Sequence, residues 1–212
     1  MLSISKRLKT IASLVTPQKK VIDIGTDHAY LPIYLYLNNI TKNITASDIS
    51  PQVLEISLNN LQKYNLEKKI NLIKSDGFRN VDGIFDIAVI TGMGTYTIIN
   101  ILNTKNIPDT LIIQSNNDYY LLRKHLNYLG YKIEKEIALY ENKHYYIIIK
   151  FIKEKEFLTD EELLFGKSNN LQYYDYLKNK YIKLYEKSRD EKFLKYIDML
   201  NSIIEKIPVE MK

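Results

Sequence analysis

Residues Val21–Pro32 read V-I-D-I-G-T-D-H-A-Y-L-P, and the change of character along this stretch decides the fold. It opens as a short β-branched run, Val21 to Ile24, that carries a carboxylate at Asp23 and ends at Gly25. A polar turn follows, Thr26-Asp27-His28, and apolar residues then return through Leu31, Leu35 and Leu37. A buried strand that runs through a glycine turn into a helix is how an α/β nucleotide-binding site begins. Glycine lets the backbone approach a ligand closely, and the helix start offers unpaired N–H groups. A pyrophosphate loop would carry further glycines, but Asp27 and His28 stand in their place. A carboxylate there repels pyrophosphate and suits hydroxyls, an amine or a sulfonium. The loop therefore points away from NAD and towards S-adenosyl-L-methionine.

Working outward, the periodicity predicts alternating helices and strands. Ile4, Leu8, Ile11 and Val15 share one helical face, so residues 3–15 read as an amphipathic helix ending before Pro17. Strands are expected at 20–25, 43–48, 70–74, 85–90 and 110–114. Helices are expected at 29–39, from Pro51 onward, at 96–102 and at 119–129. In the helix from Pro51, Val53, Leu54, Leu58 and Leu61 are expected to face inward. Gly130 closes the last of these helices. Two final strands, 131–139 and 144–151, flank a turn at Glu141-Asn142-Lys143. Such alternation implies a mostly parallel sheet covered on both faces, here with a terminal antiparallel hairpin. That hairpin is the usual mark of a Rossmann-like class I methyltransferase sheet. The segment after it has no strand signal. Leu171, Tyr174, Tyr181 and Leu184 form one helical stripe, and Leu194, Ile197, Leu200 and Ile204 another. Residues 1–152 thus read as one sheet domain, and residues 153–212 as two antiparallel, coiled-coil-like helices joined at Ser188-Arg189-Asp190.

Composition narrows the class. The chain has 212 residues, 45% apolar and 26% charged, as in ordinary water-soluble domains. It contains no apolar run long enough for a membrane span, and Lys6, Arg7 and Lys9 break up any signal-peptide core, so no membrane partner is expected. Cysteine is absent and the three histidines are widely spaced, which argues against disulfides and a metal site and favours the cytoplasm. The net charge is +5, and residues 1–20 hold five bases and no acid, so the surplus can be assigned to the N-terminal segment. Lys6, Arg7 and Lys9 there can grip a phosphate backbone, although a basic face of this kind also arises simply as a solvated surface.

Acids recur at the ends of successive strands: Asp23 and Asp27, then Asp48, then Asp76 followed by Gly77. In an open α/β sheet these ends meet at one crevice. Each acid alone would read as a helix cap or solvated turn; three strand ends together read as a ligand site. Asp48, with Ile49 after it, is placed to meet ribose hydroxyls, Asp76-Gly77 an adenine, and Gly25-Thr26-Asp27-His28 the remaining end of the ligand. Thr91-Gly92-Met93-Gly94 ends the fourth strand, where glycines allow a close approach and Met93 packs on ligand or core. Gln114-Ser115-Asn116 either touches the same crevice or caps a helix. His28 reads as a local hydrogen-bonding residue more readily than as a general base. Phe78, Tyr96, Tyr119 and Tyr145 are candidate stacking platforms.

Together, D-I-G-T-D-H-A-Y-L-P, S-D-I-S, S-D-G-F, T-G-M-G-T and I-I-Q-S-N resemble the TrmK family, bacterial tRNA (adenine(22)-N1)-methyltransferases. The N-terminal S-K-R-L-K-T-I-A and the terminal helices are similar to that family's opening segment and coiled-coil domain. The resemblance implies an enzyme that moves a methyl group from S-adenosyl-L-methionine to adenosine N1 in the tRNA D-arm; a monomer is expected. It also implies that Gly92-Met93-Gly94 positions the target base without a general base. A methyltransferase for another RNA site, or a non-catalytic module that binds cofactor or RNA, is the alternative. The chain departs from the family pattern at Thr95, where G-M-G-G becomes G-M-G-T, and at Ser115, where Q-P-N becomes Q-S-N. Thr95 is expected to add a side chain beside the base pocket.

Overall fold

A computed structural model describes residues 2–207. The chain begins with helix α1 (Lys6–Ser13) and continues β1 (Val21–Ile24), α2 (Tyr30–Leu37), β2 (Ile44–Asp48), α3 (Pro51–Lys63) and β3 (Asn71–Lys74). It then returns through β4 (Ile87–Met93), α4 (Thr95–Leu102), β5 (Thr110–Ser115) and α5 (Tyr119–Tyr128). The hairpin β6 (Tyr131–Glu141) and β7 (His144–Lys153) follows, and the chain closes with α6 (Asp160–Phe165), α7 (Leu171–Ser188) and α8 (Lys192–Lys206). Every strand inferred from the sequence is present, with ends shifted by a few residues.

The strands form one seven-stranded sheet in the order β3-β2-β1-β4-β5-β7-β6. The first five run parallel, whereas β7 pairs antiparallel with both β5 and β6. Asn142 and Lys143 both have positive φ (52° and 66°), the left-handed pair that lets a two-residue turn follow the strand twist. Central strands are buried on both faces, so β1 and the first four residues of β4 are buried throughout, with Asp23 the one polar residue among them. Among the described residues no helix is long and apolar enough to cross a membrane.

Three details differ from the sequence reading. In α3, Leu58 is 39% exposed, and the inward positions are Ser57, Asn60 and Leu61. The helix is turned because its polar side chains have work on that face, described below. Second, α6 precedes the two long helices; its Thr159 and Glu162 form a reciprocal capping box that begins it. Third, aromatic rings supplement the expected stripes: Tyr174 and Leu200 are buried and Tyr181 and Ile204 pack against the core, but Phe193 and Tyr196 join them in place of Leu194. Tyr181 packs on Phe193 and Tyr196 at centroid distances of 5.9 and 5.2 Å, while Leu194 is 40% exposed. These contacts and the three-residue turn at 189–191 make α7 and α8 antiparallel neighbours.

One buried ion pair ties the helical segment to the sheet. Arg123 of α5 donates to both carboxylate oxygens of Glu136 on β6, at 2.6 and 3.1 Å, with both side chains essentially inaccessible. The same guanidinium donates at 3.0 Å to the carbonyl of Leu163 in α6. Gly166, at φ 80°, has no Cβ because that atom would collide with the Glu136 carboxylate. Tyr173, Tyr174, Leu177 and Leu200 then join the apolar core beneath β5 and β7. Removing one partner of such a pair strands the other charge in the interior. Glu136→Ala is accordingly expected to cost about 3–5 kcal/mol in urea unfolding, and Arg123→Met with Glu136→Leu to recover most of it.

Candidate functional site

The parallel strand ends converge where the strand order reverses. After β1, β2 and β3 step outward, β4 returns to the other side of β1, with Ile24 opposite Ile90. This reversal leaves a crevice beyond the ends of β1 and β4, the usual ligand position in such sheets. Here it is a cavity of about 330 Å³ lined by Asp23, Thr26, Asp27, His28, Asp48 and Met93, together with Gly25, Gly92 and Arg7.

The floor is the loop after β1. Gly25 takes φ 72°, and a Cβ there would run into the terminal methyl of Met93. The two strand ends thus touch only because this residue is glycine. Two non-glycine residues further along, Asp27 and Ala29, also have positive φ, at 54° and 58°. Such backbone is strained for residues with a Cβ and persists only where neighbours hold it. The neighbours are the polar residues of α3. Ser57 Oγ donates to the Asp27 carbonyl at 2.6 Å, and Asn60 Nδ2 donates to the His28 carbonyl at 3.0 Å. Sequence reading missed both residues; the available signal was a Ser and an Asn three apart within an otherwise apolar helix face.

Three carboxylates surround this cavity. Asp23 is buried and accepts the Thr26 hydroxyl at 2.7 Å. Burial pushes its carboxyl up to about 7, the Thr26 hydroxyl opposes that rise, and the nearby Asp48 and Asp27 charges add to it. Asp48 accepts the Ser50 N–H at 2.9 Å through one oxygen, which shapes the turn into α3. Asp27 is exposed beside His28, whose Nε2 lies 3.4 Å from it and whose ring stands 5.4 Å from Tyr30. Thr91, at the head of the glycine motif, lines the cavity as well, as do Tyr30, Leu8 and Leu31, to which the sequence reading gave no site role. An acid-lined recess over a glycine floor suits a ligand that carries positive charge and hydroxyl groups.

The opposite wall is fixed by a chain of amides. Arg7 Nη1 donates to Gln114 Oε1 at 2.5 Å; Gln114 Nε2 donates to Asn116 Oδ1 at 3.2 Å; Asn116 Nδ2 donates to the Gly92 carbonyl at 2.7 Å. Helix α1 delivers Arg7 here because the Glu141 carboxylate, at the hairpin tip, accepts the N–H groups of Lys6 and Arg7 at 2.7 and 3.2 Å. Gln114-Ser115-Asn116, left open between ligand contact and helix cap, therefore serves the crevice by bracing its Gly92 wall. Thr95 does not intrude on the pocket as expected. It is fully buried, and its Oγ1 meets Ser115 Oγ at 2.8 Å and donates to the Asn117 carbonyl at 2.6 Å. The two departures from the family pattern are thus partners of one another.

Not every expected residue reaches the cavity. Ile49 is 61% exposed. Asp76 pairs with Arg79 at 2.8 Å and, with Phe78, borders a separate groove against α4; Gly77, at φ 60°, packs close to Ile101. Gly94 caps α4, Lys6 and Lys9 are exposed, and of the three N-terminal bases only Arg7 lines the recess. Tyr119 and Tyr145 border a different cleft beneath the helical hairpin.

Comparison with known proteins gives the family. A family model described as a methyltransferase domain matches residues 4–149. The chain is 36% identical over 169 residues to a putative tRNA methyltransferase of Mycoplasma genitalium, covering 76% of each protein. It is 31% identical over 153 residues to the tRNA (adenine(22)-N(1))-methyltransferase of Bacillus subtilis, covering 70% of this chain and 64% of that one. Among solved structures, M. capricolum TrmK in complex with S-adenosyl-homocysteine superposes with a TM-score of 0.84 at 33% identity, over 97% of this chain and 99% of that one.

The raised Asp23 carboxyl carries a pH signature. Between its ordinary value of 3.8 and about 7, the folded chain holds a proton that the unfolded chain has lost. Stability contributed by this group therefore declines as pH rises through that window. Urea unfolding of wild type and Asp23→Asn at pH 4.5 and 7.5 (roughly the ends of that window) should show the wild type losing the more stability, by a few kcal/mol at most.

Proposed function

We propose, because this chain belongs to the TrmK family of methyltransferases, that it transfers a methyl group from S-adenosyl-L-methionine to N1 of adenosine 22 in the D-arm of tRNA. The observation that carries the reading is the acid-lined crevice over Gly25, faced by the Gly92-Met93 wall. It sits on a chain that matches a TrmK structure over nearly its full length. When bound, S-adenosyl-L-methionine supplies an electrophilic methyl group on a sulfonium.

The residues present fit that cofactor. Asp48 has one carboxylate oxygen engaged with Ser50 and a second free to accept ribose hydroxyls. Asp23, Asp27 and the backbone from Gly25 to His28 face the cationic methionine end. Asp76 and Gly77, one strand further out, are the proposed contacts for the cofactor's adenine, and Ile49 covers the turn between. Gly92, Met93 and Gly94 form the flat edge against which the target base rests. Adenine N1 carries its own lone pair, so no general base is required and the chain's contribution is positioning. The methylated base is cationic, which neighbouring carboxylates tolerate. In folded tRNA that nitrogen is shielded, so the base must leave its stack to reach the crevice.

The N-terminal bases Lys6 and Lys9 and the helical segment from residue 153 onward are the proposed RNA-gripping surfaces, with residues 1–152 as the catalytic unit. Arg7 serves the interior, where it braces the Gly92 wall and turns its charge towards the entering RNA. The enzyme is proposed to act as a monomer in the cytoplasm.

Incubation with methyl-labelled S-adenosyl-L-methionine and bulk tRNA, followed by nucleoside analysis and mapping of the label, tests the reading. Label recovered as N1-methyladenosine at position 22 is expected. Cofactor binding without transfer would leave only a binding module, and the absence of cofactor binding would sink the proposal. Asp48→Ala should weaken cofactor binding about 10–100-fold, the range for a lost hydrogen bond to a charged group.

A further inference from the structure

We propose that the cleft between the sheet and the helical hairpin is a second nucleotide site, which holds an unstacked base of the tRNA flanking the one that is methylated. This rests on the function proposed above and places the neighbouring strand of that substrate. The cleft has a volume of about 850 Å³, against about 330 Å³ for the crevice.

Its walls are aromatic. Tyr119 and Tyr145 stand on the sheet side, with Tyr173, Tyr176, Tyr181 and Tyr196 on the helical side. Tyr145 lies 5.1 Å from both Tyr173 and Tyr176, and Tyr181 lies 5.2 Å from Tyr196. Tyr176 on α7 and Tyr120 on α5, both lining the cleft, are 50% and 40% exposed and leave ring surface open to solvent. Ring faces with hydroxyl edges take any base by stacking, without reading its identity.

Charge continues the path. Lys180 and Lys195 stand at the cleft, and Lys183 and Lys187 follow Lys180 along a groove of α7 at spacings that share one helix face. None of the four has a carboxylate partner among the described residues. The acids nearby are Asp118, which caps α5 by accepting the Leu121 N–H at 3.0 Å, Asp160 in the first turn of α6, and Glu186 in the lysine groove, none of which pairs with these lysines. A row of free lysines leading from stacked tyrosines matches an RNA strand, with bases in the cleft and phosphates on the helix.

The cleft is also joined to the crevice. The turn 115–119 separates them: Asn116 bonds the Gly92 carbonyl on one side, and the Tyr119 hydroxyl donates to the Ser115 carbonyl on the other. A strand whose target base enters beside Gly92 therefore passes the cleft mouth with an adjoining nucleotide.

The test uses the full chain and unmodified tRNA. Wild-type transfer and cofactor affinity are measured first, and no transfer there overturns the functional reading itself. With transfer established, Tyr176→Ala and Tyr120→Ala should each raise KM for tRNA about tenfold, the scale of one lost base stack. Their kcat and cofactor affinity should stay unchanged. Lys183→Gln should weaken tRNA binding and reduce its salt dependence by about one ion. Ultraviolet cross-linking of the wild-type complex should yield nucleotide adducts on cleft tyrosines. Unchanged KM in both tyrosine variants, with adducts confined to α1 and the β4 loop, overturns the cleft proposal while the methyl-transfer reading stands.

Discussion

The return of β4 to the flank of β1 is the constraint on which the rest depends. It sets Ile24 opposite Ile90 and carries both strands to the same edge, so that the turns after them must share space. They can share it only because Gly25 has no Cβ where the Met93 methyl lies. From that single close approach follow the floor of the crevice, the position of the three acids around it and the presentation of Gly92 on its far wall. A larger residue at position 25 would separate the strand ends before any ligand was involved.

Around this contact the chain invests buried polar groups in place of apolar packing. Ser57 and Asn60 hold carbonyls of a loop whose Asp27 and Ala29 lie in left-handed backbone. Thr95 and Ser115 bond each other and, through Asn117, fix the start of α4 against the turn after β5. The Arg7–Gln114–Asn116 relay does the same for the Gly92 carbonyl. Each group is satisfied, which is what makes such networks rigid where half-satisfied ones are costly. Among the acids of the site Asp23 is the buried one, and its burial favours the protonated carboxyl.

Much of this was legible in the sequence. The double-sided burial of β1 and β4, the acids at strand ends and the terminal hairpin are local patterns, and local patterns survive translation into three dimensions. The crevice gathered Asp23, Gly25, Thr26, Asp27, His28, Asp48, Gly92 and Met93 as expected. Long-range geometry was not legible. Arg7 reads as a surface base because nothing local shows that Glu141, 134 residues later, accepts its N–H and turns its helix inward. Thr95 reads as an obstruction until Ser115 is seen beside it. Leu58 reads as core until Ser57 and Asn60 take the inward face, and along α8 Leu194 gives way to the rings of Phe193 and Tyr196 packed on Tyr181, while Leu200 keeps its expected place in the core. In each case a pairing between distant segments overrode the helical period.

The claim that the β1–β4 crevice is the cofactor site is tested most directly by a crystal structure of this chain with S-adenosyl-homocysteine. The account predicts ligand density between Gly25 and the Gly92-Met93 wall, with the ribose hydroxyls on the free oxygen of Asp48. Density in the tyrosine cleft, or in the groove beside Asp76 with the crevice left unfilled, would contradict it.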